Sequence, residues 1–126
     1  MALYKTYTTM GIDPNEPKPE SMADMLHIKS KQERDNLIQT NKIVVIDNYT
    51  EWCGPCKTLI PRLEQMEKDY PNVKFIKVNV DENMDASLDM GIRSVPTVMI
   101  FDGNKLVDRS QGVQSDTYYK EVLNKL

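Results

Sequence analysis

Past about residue 22 the chain switches repeatedly between the apolar spacing of a strand and that of a helix. Met25-Leu26-His27-Ile28 reads as a short strand. Ser30, with Glu33 three residues on, makes a capping box opening a helix whose apolar face is Leu37 and Ile38. Ile43-Val44-Val45-Ile46 lacks polar alternation, as expected of a central strand covered on both faces. Cys56, Leu59, Leu63, Met66 and Tyr70 recur every three or four residues along a second helix, which Pro61 should kink and Pro71 should stop. Val73 to Val80 makes another strand, and Met84 to Met90 a short helix closed by Gly91. Thr97 to Phe101 is a strand turning through Asp102-Gly103-Asn104 into Leu106-Val107. Ser115 and Asp116 open a last helix with Tyr119, Val122 and Leu126 facing inward.

The order β-α-β-α-β-α-β-β-α predicts an α/β fold, a central mixed sheet of four to five strands with helices on both faces. Residues 1–22 differ from the rest. Pro14, Pro17 and Pro19 fall among acidic and amide residues, a linker composition, and ahead of them Leu3–Thr9 has strand-favouring residues. This N-terminal extension is expected to be a tail, with a docked strand as the alternative, and residues 23–126 a single domain.

Composition narrows the function. Sixteen basic residues against 19 acidic ones leave a net charge of −3, which gives no electrostatic reason to expect nucleic acid or an anionic membrane as partner. No apolar run approaches the length of a membrane span, and the N-terminal residues lack the apolar core of a secretory signal and the arginines of a transit peptide; a cytoplasmic protein is expected.

The chain has two cysteines, Cys53 and Cys56, three positions apart. So short a loop adds almost nothing to stability, so the pair is there for reactivity. Half of a metal site and a redox pair are the two readings of this spacing. Structural zinc needs four ligands, and beyond the two thiols the chain offers only His27, on a predicted strand; no metal is expected. For a redox pair the spacing is apt, since positions i and i+3 on a helix hold their β-carbons roughly 5–6 Å apart. Cys53 falls at the helix N-terminus, where free N–H groups and the dipole favour the thiolate, and Pro55 suits the first turn. Cys56 lies a turn deeper on the apolar face. Cys53 is read as the exposed nucleophile and Cys56 as the resolving thiol.

Asp47 directly follows the four apolar residues of the central strand. It is either a strand-end turn residue or a carboxylate in low dielectric, its pKa raised, able to take the proton of Cys56. Trp52 beside the nucleophile is read as contact surface.

Trp52-Cys53-Gly54-Pro55-Cys56-Lys57 resembles the active-site signature of the thioredoxin family. The likeness spans about residues 24 to 126, taking in Asp47, Pro61, Lys77-Val78-Asn79-Val80-Asp81, Gly91-Ile92-Arg93-Ser94-Val95-Pro96-Thr97 and Gly112. It implies the thioredoxin fold and selects the buried-carboxylate reading of Asp47, with Lys77 nearby tuning its charge. It also implies a cis Val95–Pro96 bond whose Val95 backbone pairs with an extended substrate. Trp52, Gly54, Pro55, Val95, Pro96, Gly112 and Val113 would then form an apolar patch around Cys53. Two departures stand out. Asn48, in Asp47-Asn48-Tyr49-Thr50, replaces a normally apolar core residue and must find hydrogen bonds or face water. The N-terminal extension is foreign to the minimal domain.

The resemblance implies a monomeric reductase of protein disulfides with no bound cofactor, its Cys53–Cys56 disulfide restored to the dithiol by a thioredoxin reductase using NADPH. Gly54-Pro55 is the intervening pair of the reducing members. An oxidase or isomerase is one alternative; a binding or chaperone subunit of a larger assembly, its thiols incidental, is the other.

Overall fold

The β-branched run of the sequence becomes the middle of the sheet. In the computed structural model, which describes residues 25–126, Ile43–Tyr49 forms β2, buried at every position. Strand β3 (Val73–Asn79) pairs with it in parallel and β4 (Thr97–Asp102) antiparallel. A short β1 (Leu26–Ile28) extends the parallel half beyond β3, and β5 (Lys105–Gln111) is the mostly exposed edge beside β4. The order β1-β3-β2-β4-β5 is a mixed five-stranded sheet, interleaved as expected with α1 (Lys31–Thr40), α2 (Gly54–Glu67), α3 (Met84–Asp89) and α4 (Asp116–Asn124). The extension 1–22 and its Leu3–Thr9 stretch lie outside the described residues.

Because strand side chains alternate in direction, β2 feeds two cores. Ile43 and Val45 pack with Leu59, Leu63 and Met66 of α2 and with Tyr119 and Leu123 of α4. Val44 and Ile46 pack with Ile38 of α1 and Met99 of β4 on the opposite face. Helices therefore cover both faces, and the residues after Ile46 continue the alternation toward the end of the sheet that carries the cysteines.

Local chemistry fixes the ends of the elements. Ser30 Oγ accepts from the N–H of Glu33 at 3.0 Å, while Glu33 Oε1 reaches one residue further back, to the N–H of Lys29. Gly103 and Asn104 both have positive φ, the backbone of a tight two-residue hairpin. Helix α2 runs through Pro61 as one element and stops at Glu67, short of Tyr70, since a residue before proline avoids helical backbone; Tyr70 still packs against the core from the turn.

One inward position differs from the reading of the periodicity. Helix α4 ends at Asn124, so Leu126 lies past it and is 43% exposed, while Leu123, four residues after Tyr119, takes the buried place. In α3 the buried residues are the small Ala86 and Ser87, and Leu88 points outward, 72% exposed.

Candidate active site

Strand β2 ends at Tyr49, and a turn carries the chain through Trp52 into α2. Cys53 is the N-cap of that helix, with extended backbone, and its sulfur accepts from the N–H of Cys56 at 3.2 Å. Once the sulfur carries charge, that donor and the positive end of the α2 dipole are what stabilise it. Pro55 occupies the first turn, where its missing N–H leaves no gap. The two sulfurs are joined in a Cys53–Cys56 disulfide, with Cα atoms 5.3 Å apart. Cys56 is fully buried, as its place on the apolar face of α2 requires. Cys53, expected to be exposed, is only 5% exposed. With its sulfur bonded to Cys56, it packs in an apolar cluster with Tyr49, Ile60 and Val95, and the exposed surface beside it belongs to Trp52, 71% accessible.

Asp47 lies two residues before Tyr49 on the face of β2 that α2 covers. It is wholly buried, and neither carboxyl oxygen has a hydrogen-bond partner. Desolvation pushes its pKa from 3.8 up to about 7, opposed by the charge of Lys77. Lys77 stands directly across from Asp47 in the β2–β3 register, its Nζ 3.9 Å from Glu64 Oε2 of α2. A buried carboxyl left without hydrogen bonds holds its proton near neutrality and can exchange it there.

The segment between α3 and β4 reaches the cysteines from the other side. The Val95–Pro96 peptide is cis, Val95 packs in the sulfur cluster, and Pro96 O accepts from the N–H of Gly112 at 2.8 Å. Gly112 has φ +79, left-handed backbone that favours glycine. Val113 follows it, partly exposed. Gly54 has open space where a side chain would project. A groove of about 310 Å³ runs beside Trp52, lined by Thr50, Val80, Asp81, Ile92, Arg93 and Ser94 with Val95. Cys53, Cys56 and Val95 thus share one cluster, with Pro96 and Gly112 bonded beside it and Trp52 on the rim; no contact places Val113 against Cys53. Among the described residues no three His, Cys, Asp or Glu side chains gather where a metal could be held.

Sequence reasoning missed two neighbours. Tyr49 shares the buried cluster of the two cysteines and its hydroxyl lies 3.3 Å from His27 Nε2; its place two residues beyond Asp47, on the same face, was the available signal. Asp81 accepts from Trp52 Nε1 at 2.9 Å and so holds the exposed indole, a pairing across 29 residues with no local signature. Asn48 resolves its departure by burial with a partner, its Nδ2 donating to Thr97 O at 2.9 Å.

The comparisons agree with this geometry. The thioredoxin family model matches residues 25–125. The thioredoxin of Mycoplasmoides gallisepticum is 43% identical over 99 residues, covering 79% of this chain and 99% of that protein. Thioredoxin 1 of Plasmodium falciparum is 36% identical over 98 residues, covering 78% and 93%. Among solved structures, Plasmodium falciparum thioredoxin superposes with a TM-score of 0.74 at 35% identity, over 80% of this chain and 98% of that one. The oxidized mitochondrial thioredoxin 3 of Saccharomyces cerevisiae gives 0.75 at 31%, over 81% and 95%. With a helix-capping cysteine pair on a mixed five-stranded sheet, the chain belongs to the thioredoxin family and is a thiol–disulfide oxidoreductase that reduces protein disulfides.

Proposed function

We propose that reduction proceeds by two exchanges at named sulfurs. The Cys53 thiolate attacks a substrate disulfide, forming a Cys53–substrate disulfide and releasing one substrate thiolate. Cys56 then gives its proton to the Asp47 carboxylate and attacks Cys53 Sγ; the Cys53–Cys56 bond forms, and the second substrate sulfur leaves. The substrate gains two electrons and the cysteine pair loses them. The observation that carries this reading is the placement of Cys53 as the N-cap of α2, with a backbone N–H on its sulfur and the resolving sulfur one turn behind. Lys77, across the register from Asp47, tunes how readily that carboxylate ionises.

Substrate docks on Trp52, Gly54, Pro55, Val95, Pro96, Gly112 and Val113, with its backbone paired to that of Val95. Closeness of Val95 to the sulfurs supports this. The oxidised protein is returned to the dithiol by a thioredoxin reductase drawing on NADPH, so the pair serves as an electron carrier in a reducing compartment, the cytoplasm. The working unit is read as a monomer. Residues 1–22 form an extension to the domain 23–126. No helix among the described residues is long and apolar enough to cross a membrane.

The decisive experiment is reduction of insulin disulfides by dithiothreitol with and without the protein. A large acceleration is expected, abolished by Cys53→Ser, while Cys56→Ser should accumulate a mixed disulfide through Cys53. Absence of acceleration by the wild-type protein would refute the assignment.

A further inference from the structure

Arg109 belongs to none of the machinery named so far. It sits on β5 opposite Met99 of β4, and its guanidinium lies over the end of α3. Nη1 donates to Met90 O at 2.7 Å and Nη2 to Gly91 O at 2.8 Å. Adjacent carbonyls at a helix C-terminus have no intrahelical donor and form the negative end of the dipole, so a cation is well placed there. A planar guanidinium spans two such acceptors at once with donors held in a fixed fork, a preset geometry that the rotatable ammonium of lysine lacks. Gly91 has left-handed backbone, φ +67; the chain reverses there, and Ile92, Arg93 and Ser94 carry it to Val95–Pro96.

The far end of the same segment is also held from β5. Gly112, the residue after that strand, donates its N–H to Pro96 O at 2.8 Å. One strand therefore grips the docking segment twice, by the Arg109 side chain where it begins and by the Gly112 backbone where it ends. Between the grips, Thr97 Oγ1 donates to Ser94 O at 2.7 Å. Of these ties, Arg109 alone depends on a long charged side chain.

We propose that Arg109 is a positioning residue that fixes the segment 91–96 against the cysteine pair, setting the affinity for disulfides carried on a polypeptide and not the rate of sulfur exchange. This rests on the reading that a substrate backbone pairs with Val95. A polypeptide must find that backbone at the right height and register beside Cys53. A small disulfide needs only the sulfur.

The test compares wild type, Arg109→Gln and Arg109→Lys on insulin and on bis(2-hydroxyethyl) disulfide, with amide hydrogen exchange followed at Ile92 and Arg93. For R109Q the KM for insulin should rise about fivefold with kcat held within about twofold, the size expected for loss of solvent-exposed charge-assisted hydrogen bonds. The second-order rate constant on the small disulfide should not move, and exchange at Ile92 and Arg93 should quicken. R109K should fall between, since its ammonium keeps the charge but not the fixed two-pronged donor geometry. An equal loss on both substrates, or an unchanged insulin KM, overturns the proposal; should R109Q fail to fold, the ratio of the two substrates in R109K decides by the same criterion. Wild-type protein inactive on insulin would sink the functional reading, and this proposal with it. Active wild type with R109Q indistinguishable from it sinks the proposal alone.

Discussion

Arg34 and Asp47 are both buried in the protein, on opposite faces of the same sheet, and their surroundings could hardly differ more. Arg34 on α1 is 1% exposed. Its Nη1 donates to Ala86 O at 2.7 Å, its Nη2 to Asp89 and Asp35, and its Nε to Asp35. The hydrogen bond from Arg34 holds the Asp89 carboxyl below its ordinary pKa. The bonds to Ala86 and Asp89 join α1 to α3, and those to Asp35 brace the guanidinium within α1. Asp47 makes no hydrogen bond, and its pKa is pushed up to about 7. A saturated buried charge fixes structure because its protonation never changes; an unsaturated one changes protonation where a cell's pH can reach it.

The largest expected effect separates the two residues by pH. At pH values below 3.8 Asp47 holds its proton in both folded and unfolded chains. Between 3.8 and about 7 the unfolded chain ionises while the folded one does not, so stability is lost as pH rises through that window. At about 1.4 kcal/mol per unit, the loss has a ceiling of about 4 kcal/mol. Asp47→Ala removes it. In the oxidised state, where no thiol titrates, the variant should be more stable than its parent by roughly 2–3 kcal/mol at pH 8. The gain should shrink toward pH 5. Resolution of the mixed disulfide at pH 7 should meanwhile slow by about tenfold or more, the scale of a lost proton acceptor. Urea unfolding at the two pH values and single-turnover release of a trapped substrate check both statements. A pH-independent stability difference would contradict the raised pKa.

Arg34→Met should behave in the opposite sense. The aliphatic stem is replaced, but Ala86 O loses its guanidinium partner and α1 loses its tie to α3. Asp35 and Asp89 are partly exposed and can hydrate, which keeps the loss to about 2–3 kcal/mol, below that of a fully sealed pair. The loss should be the same at pH 5 and pH 8, and insulin reduction per folded molecule should be unchanged. A variant that altered the pH dependence of the reaction would erase the distinction between the two faces.

Much of the fold was legible because its signals are local. The run Ile43–Ile46, the Ser30 N-cap and the Gly103-Asn104 turn act within a few residues, and each appears where the sequence puts it. The cysteine pair was legible for the same reason, since three residues of spacing and a following helix contain the chemistry. What escaped depends on segments that meet only in space. Arg34 looks like a surface residue until Ala86, 52 positions on, supplies its carbonyl. Asn48 looks out of place until Thr97 accepts from it, 49 positions away. Cys53 was expected to be open to solvent; it is nearly buried in a cluster that also holds Tyr49 and Val95, residues of separate segments. No sequence pattern announces that a carboxyl such as Asp47 will have no partner, because that is a property of everything packed around it.

The smallest expected effect tests whether the chemistry of Asp47 is its own or shared with Lys77. The lysine charge opposes the effect of burial on Asp47, while its Nζ is also within 3.9 Å of Glu64 Oε2. Lys77→Met keeps the length of the side chain and deletes the charge. Without it, Asp47 should hold its proton to a pH above about 7, leaving less carboxylate at neutrality to accept the Cys56 proton. Resolution at pH 7 should slow by about two- to threefold and recover as pH is raised, since only the ionised fraction has changed. A pH profile of single-turnover resolution measures this directly, because a lysine that merely braced Glu64 would change stability and leave the midpoint where it was. If the midpoint stays fixed in K77M while D47A abolishes it, desolvation alone poises the carboxyl, and the contrast with Arg34 becomes one between a charge surrounded by partners and a charge given none.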